Sequence, residues 1–408
     1  MRIAIVTATS VWGGAEAHAV QLARGLDERR HEVVLVELGH RIFTQAKVRM
    51  GNRVQLATIN LSVPLESISV GEAYQVLRRL KADVSVFEKG ELDAANLGFD
   101  IAARWSSKVY IVIEQLLAPK MPAKPLIGFR GKLLPGVGWW WYVIYCHRRA
   151  RSLAPHKIIC VSKSVRDRLY DDYGFPERKM VTIHNGIDPA QFRPEPSWRS
   201  SARAAWGIPE EDLVFGAVGR LAAIKRLDRA IELFRRFCLT SSRPDAWLVI
   251  VGTGPAEDQL QRTARASGFF HRIRFLGSTE AAWEVYNGID AFLMTSESEG
   301  LPLALVEAMA CGCCPVVMSV GGVAEVVRDD KLGWLVPKED ESAFLAAMRA
   351  VAALTTEQRS SIAIRGRKVV SESFNSSYQI KKIIDLIESA SIAKNNELVH
   401  ESEDIPAM

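Results

Sequence analysis

The feature that most constrains this 408-residue chain is a repeated alternation of short apolar runs with helix-periodic segments. RIAIVTA is followed by a helical stretch from about Ala15 to Leu26 and then by EVVLVEL from Glu32. Further runs stand at VQLATI, DVSVF, KVYIVI, KIICVS and MVTIH. Each is short, apolar and bounded by polar residues, Gly or Pro, as expected of strands buried on both faces. Helices between such strands predict crossovers and a parallel, doubly wound sheet.

A second series begins at LVFGAVGR, continues through a helix from about Arg226 to Cys238 and AWLVIVG, and adds RIRFLG, DAFLMTS, CPVVMS and GWLVP. In that helix Leu227, Ala230, Ile231, Phe234 and Phe237 share one face. Single cores stop growing near ~250–300 residues, so two domains are expected. The Pro-, Gly- and Ser-rich stretch NGIDPAQFRPEPSWRSS (Asn185 to Ser201) breaks the periodicity and reads as the hinge. The predicted class is α/β, with two Rossmann-like doubly wound domains facing each other across a cleft. The first covers 1–190 and is completed by a C-terminal helix at about 375–393, where Ile380, Ile383, Ile384 and Ile387 recur at helical spacing. The second covers 191–374, and polar, aperiodic 394–408 is expected as a flexible tail.

Composition, 48% hydrophobic and 24% charged, is that of a globular protein. The opening MRIAIVTATSVWGG reads as a first strand, not a signal peptide, and the apolar stretch Leu133 to Cys146 is interrupted and too short to span a bilayer. The six cysteines form no spaced framework. The expected location is therefore the cytoplasm, with peripheral attachment at the inner face of the membrane as a further candidate. Between Arg104 and Lys157 ten Lys or Arg face the single acid Glu114, a local +9 in a chain of net +5. No nucleic-acid-binding motif accompanies this stretch, so no nucleic-acid partner is expected.

The strongest chemical motif is Ser296 to Gly312 (SESEGLPLALVEAMACG), in which Glu299 and Glu307 are separated by seven residues after the strand DAFLMTS. Pro302 marks a helix start, which leaves Glu299 on the strand-to-helix loop beside Gly300 and Leu301. A carboxylate accepts two hydrogen bonds side by side, which suits the vicinal diol of a ribose or hexose, and a helix start offers free N–H groups to sugar or phosphate oxygens. An ordinary reading of either Glu alone is a helix-start acid or a surface residue.

The run EGLPLALVEAMACGCCPVV, preceded by MTSES, resembles the signature of retaining glycosyltransferases of family 4, which have the GT-B fold. The resemblance extends over essentially residues 1–390. Its other parts follow in order: the loop Gly13, Gly14, Ala15, Glu16; NGID from Asn185 to Asp188; VGRLAAIKR from Val218 to Arg226; and VGTGP from Val251 to Pro255. The resemblance implies transfer of a hexose-type sugar from a UDP-, GDP- or ADP-linked donor to a glycan or lipid-linked acceptor, with retention and no bound metal or other cofactor. It assigns Arg220 and Lys225 to the leaving diphosphate, Glu299 to the transferred sugar and Glu307 to the ribose, with Gly300 and Leu301 beside them. Two cations after a strand can neutralise a diphosphate, and Gly13 and Gly14 let backbone N–H groups approach an anion. The chain has no Asp-x-Asp triplet, in keeping with the metal-free expectation.

Many relatives carry a His at the end of the strand that here reads VYIVIEQ, whereas this chain has Glu114 and Gln115. His18, Glu114 and Asn185 are candidate acceptor or sugar contacts, although a lone His on such a helix is ordinarily a surface or packing residue. Glu325, in a GG-x-x-E loop after Gly321 and Gly322, reads as structural. The Trp139 to Trp141 run with Arg148 and Arg149 has two competing readings, docking of 116–151 on an anionic membrane or burial of the aromatics between domains. Alternatives to transfer are another GT-B activity, such as a nucleotide-sugar epimerase or a glycan phosphorylase, and a non-catalytic sugar-nucleotide-binding partner.

Overall fold

A computed structural model of the chain describes residues 1–7, 13–38, 43, 54–61, 63–65, 67–90, 96–116, 146–241, 243 and 245–403. By its internal contacts the chain divides into Met1–His184 with Ser377–Met408, and Asn185–Ser376. The first division falls a few residues ahead of the expected 190.

The first unit is a parallel sheet of seven strands. These are β1 (Arg2–Thr7), β2 (Glu32–Leu38), β3 (Gln55–Ile59), β4 (Val84–Lys89), β5 (Val109–Glu114), β6 (Lys157–Cys160) and β7 (Met180–Thr182). Their order is β3-β2-β1-β4-β5-β6-β7. Strand β1 is central and apolar on both faces, with Ile3, Ala4 and Ile5 fully buried. Helix α1 (Gly14–Glu28) returns the chain from β1 to β2 and buries Ala19, Leu22, Ala23 and Leu26.

The C-terminal helix belongs to this unit and runs over Ser376–Glu403, so the flexible tail expected from 394 is not what the structure shows. Ile383, Ile384 and Ile387 are buried along one face. Lys394 and Glu397, 2.8 Å apart three positions on, carry the helix past the apolar repeat. Aperiodic polarity removes a buried face, not helix propensity, and the residues beyond 394 include none that breaks a helix before Pro406. Helix α1 receives it at Gly25, where a Cβ would come within 2.7 Å of the Ile380 side chain. Arg29 and His31 add ion pairs to Asp385 and Glu388.

The second unit repeats the plan with β8 (Val214–Val218), β9 (Trp247–Val251), β10 (Ile273–Phe275), β11 (Ala291–Met294), β12 (Cys314–Met318) and β13 (Trp334–Val336). Their order is β10-β9-β8-β11-β12-β13, all parallel. The helix after β8, Leu227–Thr240, lays Leu227, Ala230, Ile231, Phe234 and Phe237 on the sheet. Its Phe237 meets Phe215 of β8 edge to face at 5.0 Å. Cys311, Cys313 and Cys314 are buried, Cys314 within the apolar core and Cys313 with its Sγ donating to the Tyr286 carbonyl at 3.2 Å.

The expected hinge over 185–201 is only partly irregular, because its second half enters the helix Pro196–Trp206. Pro at the first helical position needs no N–H partner and has φ already set, so this Pro starts a helix instead of prolonging a loop. The first half pairs with the return segment: Ile187 N donates to the Phe374 carbonyl at 2.9 Å and Ser376 N to the Ile187 carbonyl at 2.9 Å. Gly186 is required there, since a Cβ would lie 2.6 Å from the Phe374 oxygen. Among the described residues no helix is long and apolar enough to cross a membrane. Trp139 to Trp141 lie outside the described residues, as does most of the 116–151 segment.

Candidate active site

In an open parallel sheet ligands bind beyond the carboxyl ends of the strands where the order reverses. Those points are β1/β4 in the first unit and β8/β11 in the second. Gly13, Gly14 and His18 follow β1, and Arg220, Lys225 and Glu299 follow β8 and β11, whereas Glu114 ends β5 and Asn185 opens the second unit.

At the β8/β11 point two Gly-dependent loops lie against each other. Gly219 N donates to the Val251 carbonyl at 2.9 Å and Leu221 N to the Thr253 carbonyl at 2.9 Å. Gly252, at φ +130°, brings its Cα so near that a Cβ would stand 2.0 Å from the Gly219 oxygen. This close approach explains why the VGR and VGTGP segments carry glycine. The following turn, Ala223–Lys225, is tied to the end of β11: Glu297 N donates to the Ile224 carbonyl at 2.8 Å, and Thr295 Oγ1 to the Arg226 carbonyl at 2.8 Å.

These ties bring Lys225 to Glu299. Lys225 Nζ donates to both carboxylate oxygens, at 2.8 and 2.9 Å, with Glu299 buried and Lys225 about a third exposed. The loop that holds Glu299 is braced from behind. Gly322 N donates to the Gly300 carbonyl at 2.9 Å, and Gly321, at φ +51°, leaves no room for a Cβ against the Glu299 carbonyl, 1.8 Å away. Gly300 and Leu301 are buried, and Glu325 lies in the short helix Val323–Val326 that follows the brace. Arg220 stands at the end of β8, exposed, and no ion pair holds it among the described residues. One cation is thus docked on Glu299 while the other is free to reach a ligand.

Glu307 lies in the helix Leu303–Ala310 and Glu299 precedes it, as the Pro302 signal predicts. The Tyr286 hydroxyl donates to Glu307 Oε2 at 2.8 Å. Burial raises the Glu307 carboxyl to about 7, with the Tyr286 hydrogen bond opposing that rise. Burial beside this carboxyl also drives the Tyr286 hydroxyl well above its ordinary value. Tyr286 escapes a reading of the sequence, because in EVYNGID it looks like any core aromatic.

In the first unit Gly13 caps α1 and Gly14 is its first residue, both exposed. Gly13 has extended backbone and a Cβ there would make only ordinary contact, so nothing among the described residues demands glycine at this position. His18 is buried on α1, not on the surface, with its Nδ1 2.7 Å from Glu88 Oε1. Glu114 is buried at the end of β5, and Asn185 is buried where the second unit begins. Glu88 is the residue missed here, since a lone Glu ending an apolar strand gives no signal.

Two family models match in tandem: Glycosyltransferase Family 4 over residues 12–191 and Glycosyl transferases group 1 over 199–369. The chain belongs to the group 1 glycosyltransferases. Curated relatives include an uncharacterized glycosyltransferase of Methanocaldococcus jannaschii, 31% identical over 46% of this chain and 48% of the relative. A D-inositol 3-phosphate glycosyltransferase of Geodermatophilus obscurus is 33% identical over 46% of this chain and 43% of the relative. The matched stretch therefore spans about half the length of these relatives. Among solved structures, Anabaena HepE in complex with UDP-glucose superposes with a TM-score of 0.74 at 19% identity, covering 95% of this chain and 100% of that one. WaaG, a glycosyltransferase involved in lipopolysaccharide biosynthesis, gives 0.70 at 16% identity over 95% and 99%. The fold is the GT-B fold of this enzyme family.

Proposed function

We propose that this family member is a retaining, metal-independent glycosyltransferase. It moves a hexose-type sugar from a nucleotide-diphosphate donor to a glycan or lipid-linked acceptor of cell-surface polysaccharide or glycolipid synthesis. The observation that carries the reading is the Lys225–Glu299 pair at the β8/β11 switch point, with Arg220 exposed at the end of β8 and in no ion pair among the described residues. Solved relatives bound to UDP and UDP-glucose make UDP the first nucleotide to test.

When the sugar C1–oxygen bond breaks, the electron pair passes to the diphosphate. Lys225 and Arg220 stabilise that charge where it develops, the form of electrostatic assistance most effective in catalysis. The incoming hydroxyl attacks the face the diphosphate leaves, and its proton passes to the departing phosphate oxygen, so the new C1–oxygen bond keeps the original configuration. Glu299 receives sugar hydroxyls as Lys225 turns toward phosphate, and Glu307 accepts from the ribose diol. In the first unit Gly13 and Gly14 stand exposed at the start of α1, where backbone N–H groups can meet an anion. On this reading the two cations supply the charge a metal would otherwise bring.

Thermal shift with UDP-, GDP- and ADP-sugars, followed by hydrolysis and transfer assays with NMR of the product anomer, tests the proposal. Stabilisation by one nucleotide series and an α-product from an α-donor are expected. Absence of any stabilisation, or an inverted product, refutes it.

A further inference from the structure

The first unit holds a second acid–base pair at its own switch point. Thr7 of β1 and Glu88 of β4 are register partners, so their side chains project to the same face. His18 reaches Glu88 from α1 with Nδ1 2.7 Å from Oε1, and the two side chains are 2% and 0% exposed. The other Glu88 oxygen accepts from Gln115 Nε2 at 2.7 Å.

An ionised carboxylate only accepts, so His18 Nδ1 carries the proton and donates it to Glu88. In the neutral ring Nε2 then holds a lone pair. That atom is buried and meets no hydrogen-bond donor among the described residues. Thr7 Oγ1, at the carboxyl end of β1 beside Glu88, is likewise buried and unpartnered among the described residues. A buried polar atom left unmet costs about 1–3 kcal/mol, and buried groups in folded proteins nearly always find partners. Here Glu88 and Gln115 fix the ring, while among the described residues its other nitrogen and the Thr7 hydroxyl at the end of β1 stay unsatisfied.

We propose that His18 Nε2 is a ligand-binding atom that accepts a hydrogen bond from a hydroxyl of the acceptor, a sugar or polyol bound beyond the carboxyl ends of β1 and β4. Glu88 and Gln115 are positioning residues that hold the ring in the accepting tautomer. The inference rests on the transfer reading above and assigns the acceptor a specific contact in the first unit.

The test compares wild type with His18→Phe, His18→Gln and Glu88→Gln, using UDP-, GDP- and ADP-glucose as donors. Acceptor probes are D-glucose, D-inositol 3-phosphate and L-malate, with donor hydrolysis in parallel. His18→Phe is expected to lower acceptor kcat/KM about ten- to hundredfold, the loss of one hydrogen bond to a buried partner. Donor Kd should stay within about twofold. Glu88→Gln should follow it through a raised acceptor KM, and His18→Gln, which can present an amide oxygen, should recover part of the loss. The Nε2 resonance of 15N-histidine-labelled wild type should move on addition of the acceptor and not of the donor. Wild-type acceptor kinetics in His18→Phe, or an unmoved Nε2 resonance while transfer proceeds, overturns this inference alone. Failure of the wild type to bind or turn over any sugar nucleotide overturns the transfer reading and this contact with it. Should His18→Phe not fold, the Nε2 titration of the wild type decides the matter.

Discussion

The proposed role of Glu307 at the donor ribose predicts that donor affinity depends on pH. Its carboxyl is raised from 4.5 to about 7 by burial, so near neutrality a large share of the protein carries it protonated. A ribose diol donates hydrogen bonds, and only the ionised carboxylate offers acceptors to both hydroxyls. Binding therefore selects the ionised form. With a carboxyl near 7, about one molecule in eleven is ionised at pH 6 and about ten in eleven at pH 8, so affinity should rise about tenfold between them. UDP-glucose suits the measurement because its diphosphate is doubly esterified and does not titrate in this range. Calorimetry at pH 6, 7 and 8 in buffers of differing ionisation enthalpy should also show release of up to half a proton per site at pH 7. In Glu307→Gln the pH dependence should vanish, with affinity at pH 8 reduced. A flat wild-type profile, or the same slope in the variant, refutes the reasoning.

The same group acts on stability with the opposite sign. A raised carboxyl favours the protonated folded state, so the contribution of Glu307 is neutral below about 4.5, worsens as pH rises to about 7 and is constant beyond, totalling about 3 kcal/mol. Glu307→Gln should therefore unfold at higher denaturant than wild type at pH 8 and lose that advantage at pH 4. Lys225→Ala should cut kcat about 10²- to 10³-fold and also leave Glu299 buried and unpaired; adding Glu299→Gln should restore the melting temperature without restoring turnover. Gly321→Ala should destabilise by about 1–3 kcal/mol and move the Glu299 loop, reducing activity more than stability, as urea unfolding and steady-state kinetics together will show. Ile387→Ala, at a fully buried position of the C-terminal helix, should cost about 2–5 kcal/mol in urea unfolding.

The strands were legible because a strand buried on both faces has to be short and apolar, and each run from RIAIVTA to GWLVP became one. Glu299 and Glu307 were legible because their spacing about Pro302 sets them on a loop and a helix, whatever surrounds them. The helix Pro196–Trp206 and the continuation past residue 394 were not, because loop-like composition and lost periodicity say nothing about local helix propensity.

Sequence alone determined the two parallel sheets, the glycine loops and the identity of the cations and carboxylates. Only the tertiary structure decided who meets whom. Lys225 and Glu299 are 74 positions apart and His18 and Glu88 are 70 apart, and each pair meets because β8 lies beside β11 and β1 beside β4 in the sheet order, with Lys225, Glu299 and His18 on the segments that follow those strands. Burial is also a property of the assembled layers. It turns Glu307 from an ordinary acid into one that titrates near neutrality, and it leaves His18 Nε2 without a donor among the described residues.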